Sequence, residues 1–330
     1  MGFDITRQSL IRTILLFLFM YAIFGVREYL FTVPVQFDLT DFSFLGRSIY
    51  DFSVSRPYLN EILTFIFLFV NAFYLTRLAT RNLILVDRSY LPAIIYIVIC
   101  AGYTVPAQNI ISLLAAFFII AAVENIINSY KRLDRFNYFF NAGMCIGIAV
   151  LIYPQTVPYV ILLPISLIYF TRTWRDWFLS LVGLSVPLFL LSYITWATGP
   201  EFGFIYRAIF AVLEDGAGDI IKNISVAGYI MSTFYLLLAV FGIIVFMGGK
   251  ARTKKRAVRL FILFVWMLIL TIPVLSLEEN PTLAIPLAAV PLSIMIPAFF
   301  NRKKGIIGNI LYIAIIIVTI VFNLIPILLE

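Results

Sequence analysis

Long apolar segments separated by short polar connections make up most of this chain. A bilayer core about 30 Å thick is crossed by about 20 helical residues, and the apolar segments are close to that length. The pattern therefore predicts an all-α polytopic integral membrane protein, with a single domain over residues 1–330. The eleven predicted spans are residues 10–33, 59–77, 89–105, 108–129, 137–153, 156–172, 177–197, 227–248, 258–276, 281–300 and 306–328.

The connections between these segments alternate in charge. Nineteen of the 24 Lys and Arg residues lie on one predicted side of the membrane, whereas 12 of the 17 Asp and Glu residues lie on the other. Since basic residues accumulate in cytoplasmic connections, the pattern predicts a cytoplasmic N-terminus and an outside C-terminus. No small-residue cleavage site follows the first apolar segment, which predicts a retained span and not a removed signal peptide.

Two predicted outside connections are long, and we call residues 34–58 the first outside loop and residues 198–226 the late outside loop. In both loops, apolar side chains recur among polar ones at near-helical spacing. Such amphipathic segments typically lie in the membrane interface, so each loop is predicted to contain an interfacial helix. The apolar side chains are Phe42, Phe44, Leu45, Ile49 and Phe52 in the first loop, and Phe202, Ile205, Ile209 and Leu213 in the late loop.

Composition narrows the possible chemistry. Hydrophobic residues make up 62% of the chain and charged residues 12%, whereas a soluble domain has about 45–50% apolar residues. The net charge of +7 comes from short clusters between apolar segments, which indicates orientation in a membrane and not nucleic-acid binding. The chain has no His, and Cys100 and Cys145 both lie in apolar segments. We therefore expect no His-based catalysis, metal site, disulfide or cofactor.

Glu124 is an acidic residue inside a predicted span, near the predicted cytoplasmic end of that span. On another span, Asn71, Tyr74, Arg77 and Arg81 share one helical face, also near the predicted cytoplasmic end. The sequence predicts that Glu124 pairs with Arg77 or Arg81. Such a pair either links two helices or marks a functional path, because charges within spans are costly.

The first outside loop contains two acids that membrane topology does not require, Asp38 and Asp41. Their three-residue spacing puts them on one face if the segment is helical. A carboxylate near the membrane surface can act as general base toward an acceptor hydroxyl, while an arginine can bind a phosphate group bidentately. The candidate arginines are Arg27, Arg47 and Arg56. In the alternative interpretation, Asp38 or Asp41 caps an interfacial helix.

The layout resembles the C-type fold of membrane glycosyltransferases (GT-C), which use polyprenyl-phosphate-linked donors. This chain and those enzymes share a cytoplasmic N-terminus, followed by one span and an acidic first outside loop. Many further spans with short basic turns come after that loop. Local sequence is similar at residues 71–79, at 142–154 and at 279–286, where a polar stretch precedes prolines. The chain also resembles an uncharacterised family of multi-span inner-membrane proteins of Bacteroidota, a domain of unknown function.

The GT-C resemblance implies a site on the outer face of the bacterial inner membrane. It implies that Asp41, or Asp38, is the catalytic base. Many such enzymes carry another acid where this chain has Gln108 and Asn109, so either the fold persists without catalysis or these two residues bind sugar. The resemblance implies further substrate-binding roles for Arg27, Arg47, Arg56, Arg207 and either Glu278 or Glu279.

Three functions remain open from the sequence. The first is transfer of a sugar or related group from a polyprenyl-phosphate donor to an acceptor on the periplasmic face. The second is a transporter or lipid flippase, with Glu124 and Asn71 lining the path. The third is a non-catalytic subunit of a larger inner-membrane assembly that binds envelope proteins. Membrane lipids are expected partners in all three cases, and nucleic acid in none.

Overall fold

The structure is a computed structural model in which every described element of secondary structure is helical. A helix lies in each of the eleven apolar segments predicted from the sequence. A twelfth α-helix lies in the first outside loop, where an amphipathic helix is predicted. The structure describes residues 10–30, 44–82, 90–102, 110–131, 137–197, 203, 206–207, 209–210, 226–248, 255–277, 281–300 and 306–329.

We number the α-helices in chain order. They are α1 (Leu10–Leu30), α2 (Phe44–Ser55), α3 (Pro57–Arg81), α4 (Leu91–Gly102), α5 (Ile110–Lys131), α6 (Asn137–Ile152), α7 (Leu162–Tyr169), α8 (Trp174–Ala197), α9 (Val226–Gly248), α10 (Lys255–Ser276), α11 (Ile285–Phe300) and α12 (Ile306–Leu329). Two 3₁₀ helices, Pro154–Ile161 and Pro281–Ala284, lead directly into α7 and α11.

Several of these helices are long and apolar enough to cross a membrane, which indicates a membrane protein. Within the described residues, five meet both conditions: Pro57–Arg81, Ile110–Tyr130, Trp174–Ala197, Ile230–Gly248 and Ala257–Ser276. In six further helices, the residues whose side chains are described form apolar stretches of 10–17 residues. The count of eleven spans and the orientation therefore stay predictions.

Helices α4 and α11 form the centre of the bundle. Both are apolar on all sides, as expected for a helix inside a protein or a membrane. Every side chain from Leu91 to Cys100 is buried, and nearly every one from Ile285 to Phe300 is buried too. The two helices pack on each other, while α1, α3 and α12 cover α4, and α5, α9 and α10 cover α11.

Helices α6 and α8 approach each other more closely than ordinary side chains allow. A Cβ atom at Gly143 of α6 would overlap the Ser180 carbonyl oxygen of α8, and one at Gly183 would overlap the Phe140 carbonyl oxygen. Gly147 meets Leu184 and Pro187 in the same way. Small residues permit this approach, which is the common way for apolar helices to associate without a difference in hydrophobicity.

The predicted span 156–172 is built differently from a single α-helix. It begins as the 3₁₀ helix Pro154–Ile161, which contains Pro158, and α7 ends at Tyr169. Thr171 has a φ of 51°, in the left-handed region that non-glycine residues rarely adopt. Its N–H donates to the Ile168 carbonyl at 3.0 Å. The N–H of Arg172 donates to the Leu167 carbonyl at 2.9 Å, so the two bonds form a Schellman motif that ends α7.

Helix α8 starts at Trp174, whereas the sequence pattern predicts residue 177. The earlier start follows from polar contacts before the apolar segment. The Thr173 hydroxyl donates to Asp176 Oδ2 at 3.1 Å, and the Asp176 N–H donates to the Thr173 carbonyl at 3.0 Å. These bonds satisfy groups of the first helical turn, and the carboxylate is also favourable at a helix N-terminus.

Candidate functional site

The amphipathic helix α2 lies across one end of the bundle, where it packs against α3, α5 and α6. Its inward face carries Leu45, Ile49 and Tyr50, which pack on the hydrophobic core. Arg47 and Asp51 lie on the opposite, exposed face. An interfacial helix is expected to divide its residues in this way.

The two outside loops meet at a small hydrophobic cluster. Its buried members are Leu151, at the end of α6, and Leu191, near the end of α8. Leu45 of the first outside loop and Ile209 of the late outside loop both pack against this pair. The two loops, which are more than 100 residues apart in sequence, therefore share one end of the bundle.

The structure describes three of the candidate arginines, and all three belong to the two outside loops. Arg47 is exposed on α2, and Arg207 is exposed two residues before Ile209. Arg56, between α2 and α3, is exposed, with its guanidinium carbon 5.8 Å from the ring centroid of Phe52. The backbone of Arg27 belongs to α1, but its side chain lies outside the described residues, as do Asp38, Asp41, Gln108, Asn109, Glu278 and Glu279.

A charged network connects α3 and α5. The Tyr74 hydroxyl donates to Glu124 Oε2 at 2.5 Å, and Arg81 Nη1 donates to Glu124 Oε1 at 3.2 Å. The side chain of Glu124 is 15% exposed and that of Arg81 is 52% exposed. Both carboxylate oxygens are thus engaged, which confirms the predicted pairing of Glu124 with Arg81. Arg77 is exposed, and within the described residues it forms no ion pair.

A second polar contact lies deeper between the same helices. Asn71 Nδ2 donates to the Leu113 carbonyl of α5 at 2.9 Å and lies 3.4 Å from the Tyr96 hydroxyl of α4. Asn71 is fully buried, so these bonds offset the cost of enclosing its amide nitrogen. The face predicted from Asn71, Tyr74 and Arg81 is therefore the face that α3 turns toward α5. The contribution of Tyr96 was not predicted, because a lone Tyr in an apolar helix carries no signal of its partner.

Basic side chains from two other parts of the chain meet at the C-terminal end of α5. The Arg172 guanidinium donates to the Ser129 carbonyl and lies 5.7 Å from the ring centroid of Phe139. Arg259 Nη1 donates to the Tyr130 hydroxyl at 3.4 Å. Cations are favourable where a helix leaves its last carbonyls unpaired. The sequence pattern did not predict these contacts.

The described residues contain no group of three or more Cys, Asp and Glu side chains able to hold a metal ion. Cys100 is a buried free thiol, and Cys145 is a half-buried free thiol. The expectation that the chain uses no cofactor stays a prediction.

An apolar helical bundle, with charged groups between helices and amphipathic loop segments at one end, defines an integral membrane protein. Residues 20–328 match a family described as "Family of unknown function (DUF6427)", and the chain belongs to that family. This membership agrees with the predicted likeness to an uncharacterised family, whereas membership of the GT-C superfamily stays a prediction. No curated protein and no solved structure matches the chain.

Proposed function

We propose that this chain is a GT-C-like transferase of the bacterial inner membrane. It moves a sugar or related group from a polyprenyl-phosphate donor to an acceptor on the periplasmic face. In this proposal the eleven apolar segments are spans, the N-terminus is cytoplasmic and both long loops face the periplasm. The observation that supports it is the shared packing of Leu45 and Ile209 on Leu151 and Leu191.

This packing matters because a lipid-linked donor must be held by its phosphate while its chain stays in the bilayer. Arg47 and Arg207 come from different loops and are both exposed near the shared cluster. A guanidinium binds phosphate oxygens through two parallel hydrogen bonds, which fixes both position and orientation. Two loops that meet can thus supply arginines to one phosphate at the membrane surface.

The proposed reaction requires a base near that phosphate. Asp41, or else Asp38, accepts the proton of an acceptor hydroxyl, and the hydroxyl oxygen then attacks the sugar carbon bonded to the donor phosphate. A bond forms between this oxygen and the carbon, while the bond from the carbon to the phosphate oxygen breaks. The polyprenyl phosphate leaves with the bonding electrons, and the arginines stabilise its charge.

Transport by the same chain is a second candidate, favoured by the intramembrane acid Glu124. An acid in a transport path must be able to release its partners and meet the cargo or a proton. Glu124 instead has both oxygens engaged, by Tyr74 and by Arg81. Its geometry supports a link between α3 and α5 better than it supports a path.

The direct test is consumption of a synthetic polyprenyl-phosphate-linked sugar by membranes that contain the chain. Asp41→Asn is expected to lower the rate about 100-fold or more, because general-base catalysis contributes roughly that factor. Asp51→Asn is the matched control, since Asp51 is an exposed acid on α2 of the same loop and has no proposed role. Its rate should equal that of the unmodified chain.

Asp38→Asn decides between the two candidate bases, and only one of the two substitutions should lower consumption by about 100-fold or more. Equal rates for Asp38→Asn, Asp41→Asn and the unmodified chain would refute the assignment of the base. Equal consumption by membranes with and without the chain would refute the transferase itself and favour a non-catalytic subunit.

A further inference from the structure

A second charged surface lies at the opposite end of α3 from α2. Arg77 and Arg81 are four residues apart in the last two turns of α3, and both are exposed. Side chains at this spacing share a helix face, with Cβ atoms about 6 Å apart. This end of α3 is predicted to face the cytoplasm, so the two guanidinium groups lie where lipid phosphates are expected.

Arg81 is held in place in a way that membrane topology does not require. Its guanidinium donates through Nη1 to Glu124, and Glu124 in turn accepts the Tyr74 hydroxyl. About half of the Arg81 side chain remains exposed, so donors other than Nη1 are available at the surface. When one edge of a guanidinium group already binds a carboxylate, another edge can bind a second anion. The side chain is then preorganised, because it loses less rotational freedom on binding.

The charge of the group indicates what it would bind. Arg77 and Arg81 contribute two positive charges and Glu124 one negative charge, which leaves one positive charge. A phosphodiester carries one negative charge, whereas a phosphomonoester carries about 1.5 to 2 at neutral pH. We propose that Arg77 and Arg81, with Arg81 oriented by Glu124, form a binding site for the phosphodiester headgroup of an anionic membrane lipid.

This site is separate from the proposed transferase site, because it lies on α3 and α5 and uses none of the loop arginines. Tyr74 acts through Glu124 and positions Arg81. The lipid chains would lie along the apolar surface of α3 next to Arg77, where Val70 and Phe73 are half-buried and Ile66 is exposed. Free inorganic phosphate offers the same oxygens but has no chains to pack against α3 or to keep it at the membrane surface, so the lipid should occupy the site in preference.

Native mass spectrometry of the purified full chain in detergent tests the proposal, with phosphatidylglycerol as the probe. We expect the chain to retain phosphatidylglycerol in preference to phosphatidylcholine of the same chain length. Arg77→Gln should lower the retained fraction about fivefold, because one arginine near a membrane surface contributes roughly that factor. Arg77 forms no ion pair in the described residues, so this variant is expected to fold normally.

Arg175→Gln is the matched control. Arg175 is exposed in the first turn of α8, and it is predicted to lie on the same side of the membrane. Its substitution should leave lipid retention unchanged. Equal losses for Arg77→Gln and Arg175→Gln would mean attraction to general surface charge and would overturn the site. Displacement of the lipid by millimolar inorganic phosphate would overturn the choice of a lipid ligand.

Glu124→Gln provides an independent test of the charge argument. The substitution raises the net charge of the site formed by Arg77, Arg81 and residue 124 by one. The lipid that the site prefers should therefore shift from phosphatidylglycerol toward phosphatidic acid, which is a phosphomonoester. We expect the ratio of the two retained lipids to change about fivefold. An unchanged ratio in a folded variant would contradict the proposal. The comparison is a ratio within one sample, so a lower yield of folded protein does not affect it.

Discussion

The α6–α8 and α3–α5 interfaces join helices in two different ways. Between α6 and α8 the backbones themselves are in contact, because Gly143, Gly147 and Gly183 leave no side chain to separate them. Between α3 and α5 the contact passes through long polar side chains, Tyr74 and Arg81 from one helix and Glu124 from the other. The α6–α8 interface depends on the small volume of its glycine residues, whereas the α3–α5 interface depends on hydrogen bonds and charge.

The two interfaces therefore differ in the changes that they can accommodate. Backbone contact cannot absorb an added methyl group, since neither helix has a rotatable atom to move aside. Polar side chains can rearrange, and Arg81 is half exposed, so the α3–α5 link can respond to a ligand without separation of the helices. We therefore expect the α6–α8 interface to determine the stability of the protein and the α3–α5 interface to determine binding of the proposed lipid headgroup.

The largest effect is expected for Gly183→Ala. The new Cβ would overlap the carbonyl oxygen of Phe140, and the helices must separate to admit it. We expect the free energy of unfolding to fall by about 3 kcal/mol, the upper end for overpacked sites. Thermal unfolding in detergent measures the change.

Gly248→Ala is its matched control. A Cβ atom at Gly248, the last residue of α9, would have no neighbour within 4 Å. The same chemical change should therefore alter stability by less than about 0.5 kcal/mol. Similar losses for the two variants would show that loss of glycine itself, and not helix approach, is responsible.

Tyr74→Phe should have an intermediate effect. It removes the hydroxyl that donates to Glu124 and keeps the ring in place. The free energy of unfolding should fall by about 1 kcal/mol, a typical value for a hydrogen bond between helices in a membrane. Tyr58→Phe on the same helix is the control, since Tyr58 is 81% exposed and its hydroxyl lies at the surface. A larger loss for Tyr58→Phe than for Tyr74→Phe would contradict the role of the Glu124 bond.

Arg81→Gln should have the smallest effect on stability. The Arg81 side chain is 52% exposed, so solvent screens its attraction to Glu124, and we expect a loss of about 0.5 kcal/mol. The loss should shrink as salt is raised, which unfolding at two ionic strengths will reveal. Arg77→Gln should show neither the loss nor the salt dependence. A salt-independent loss for Arg81→Gln would mean that packing, and not the ion pair, is involved.

Parts of the α3–α5 link were predictable from the sequence because two independent patterns agreed. Asn71, Tyr74 and Arg81 recur on one helix face. Glu124 lies inside another apolar segment, where an unpaired charge is costly, so Glu124 was expected to have a partner. The choice between Arg77 and Arg81 was not predictable. It depends on how far α5 is shifted along α3, and side-chain spacing on either helix does not carry that information.

The α6–α8 approach was predictable only in part. The spacing of Gly143 and Gly147 is the pattern of a close helix contact, but nothing in the sequence points to Gly183 as the facing residue. The end of α7 was predicted wrongly at residue 172, because Thr171 adopts a left-handed conformation that its branched side chain disfavours. Such a conformation is imposed by the surroundings, which include the Arg172 contact with Ser129.

The convergence of the two outside loops on Leu151 and Leu191 was also beyond sequence reasoning. Each loop could be recognised as amphipathic from its own periodicity, but a shared contact depends on which helices are neighbours. That neighbour relation follows from the glycine contact of α6 with α8. The roles of Asp38 and Asp41 stay predictions, since both lie outside the described residues.

The 3₁₀ winding of Pro154–Ile161 changes how far a short segment can reach. Together with α7 it forms a sixteen-residue unit, Pro154–Tyr169, which as an α-helix would be about 24 Å long. A 3₁₀ helix rises about 2.0 Å per residue, so the unit extends to about 28 Å. That length approaches the roughly 30 Å of a bilayer core. A 3₁₀ segment with prolines at the start of a helix can therefore take the place of about three residues of α-helix.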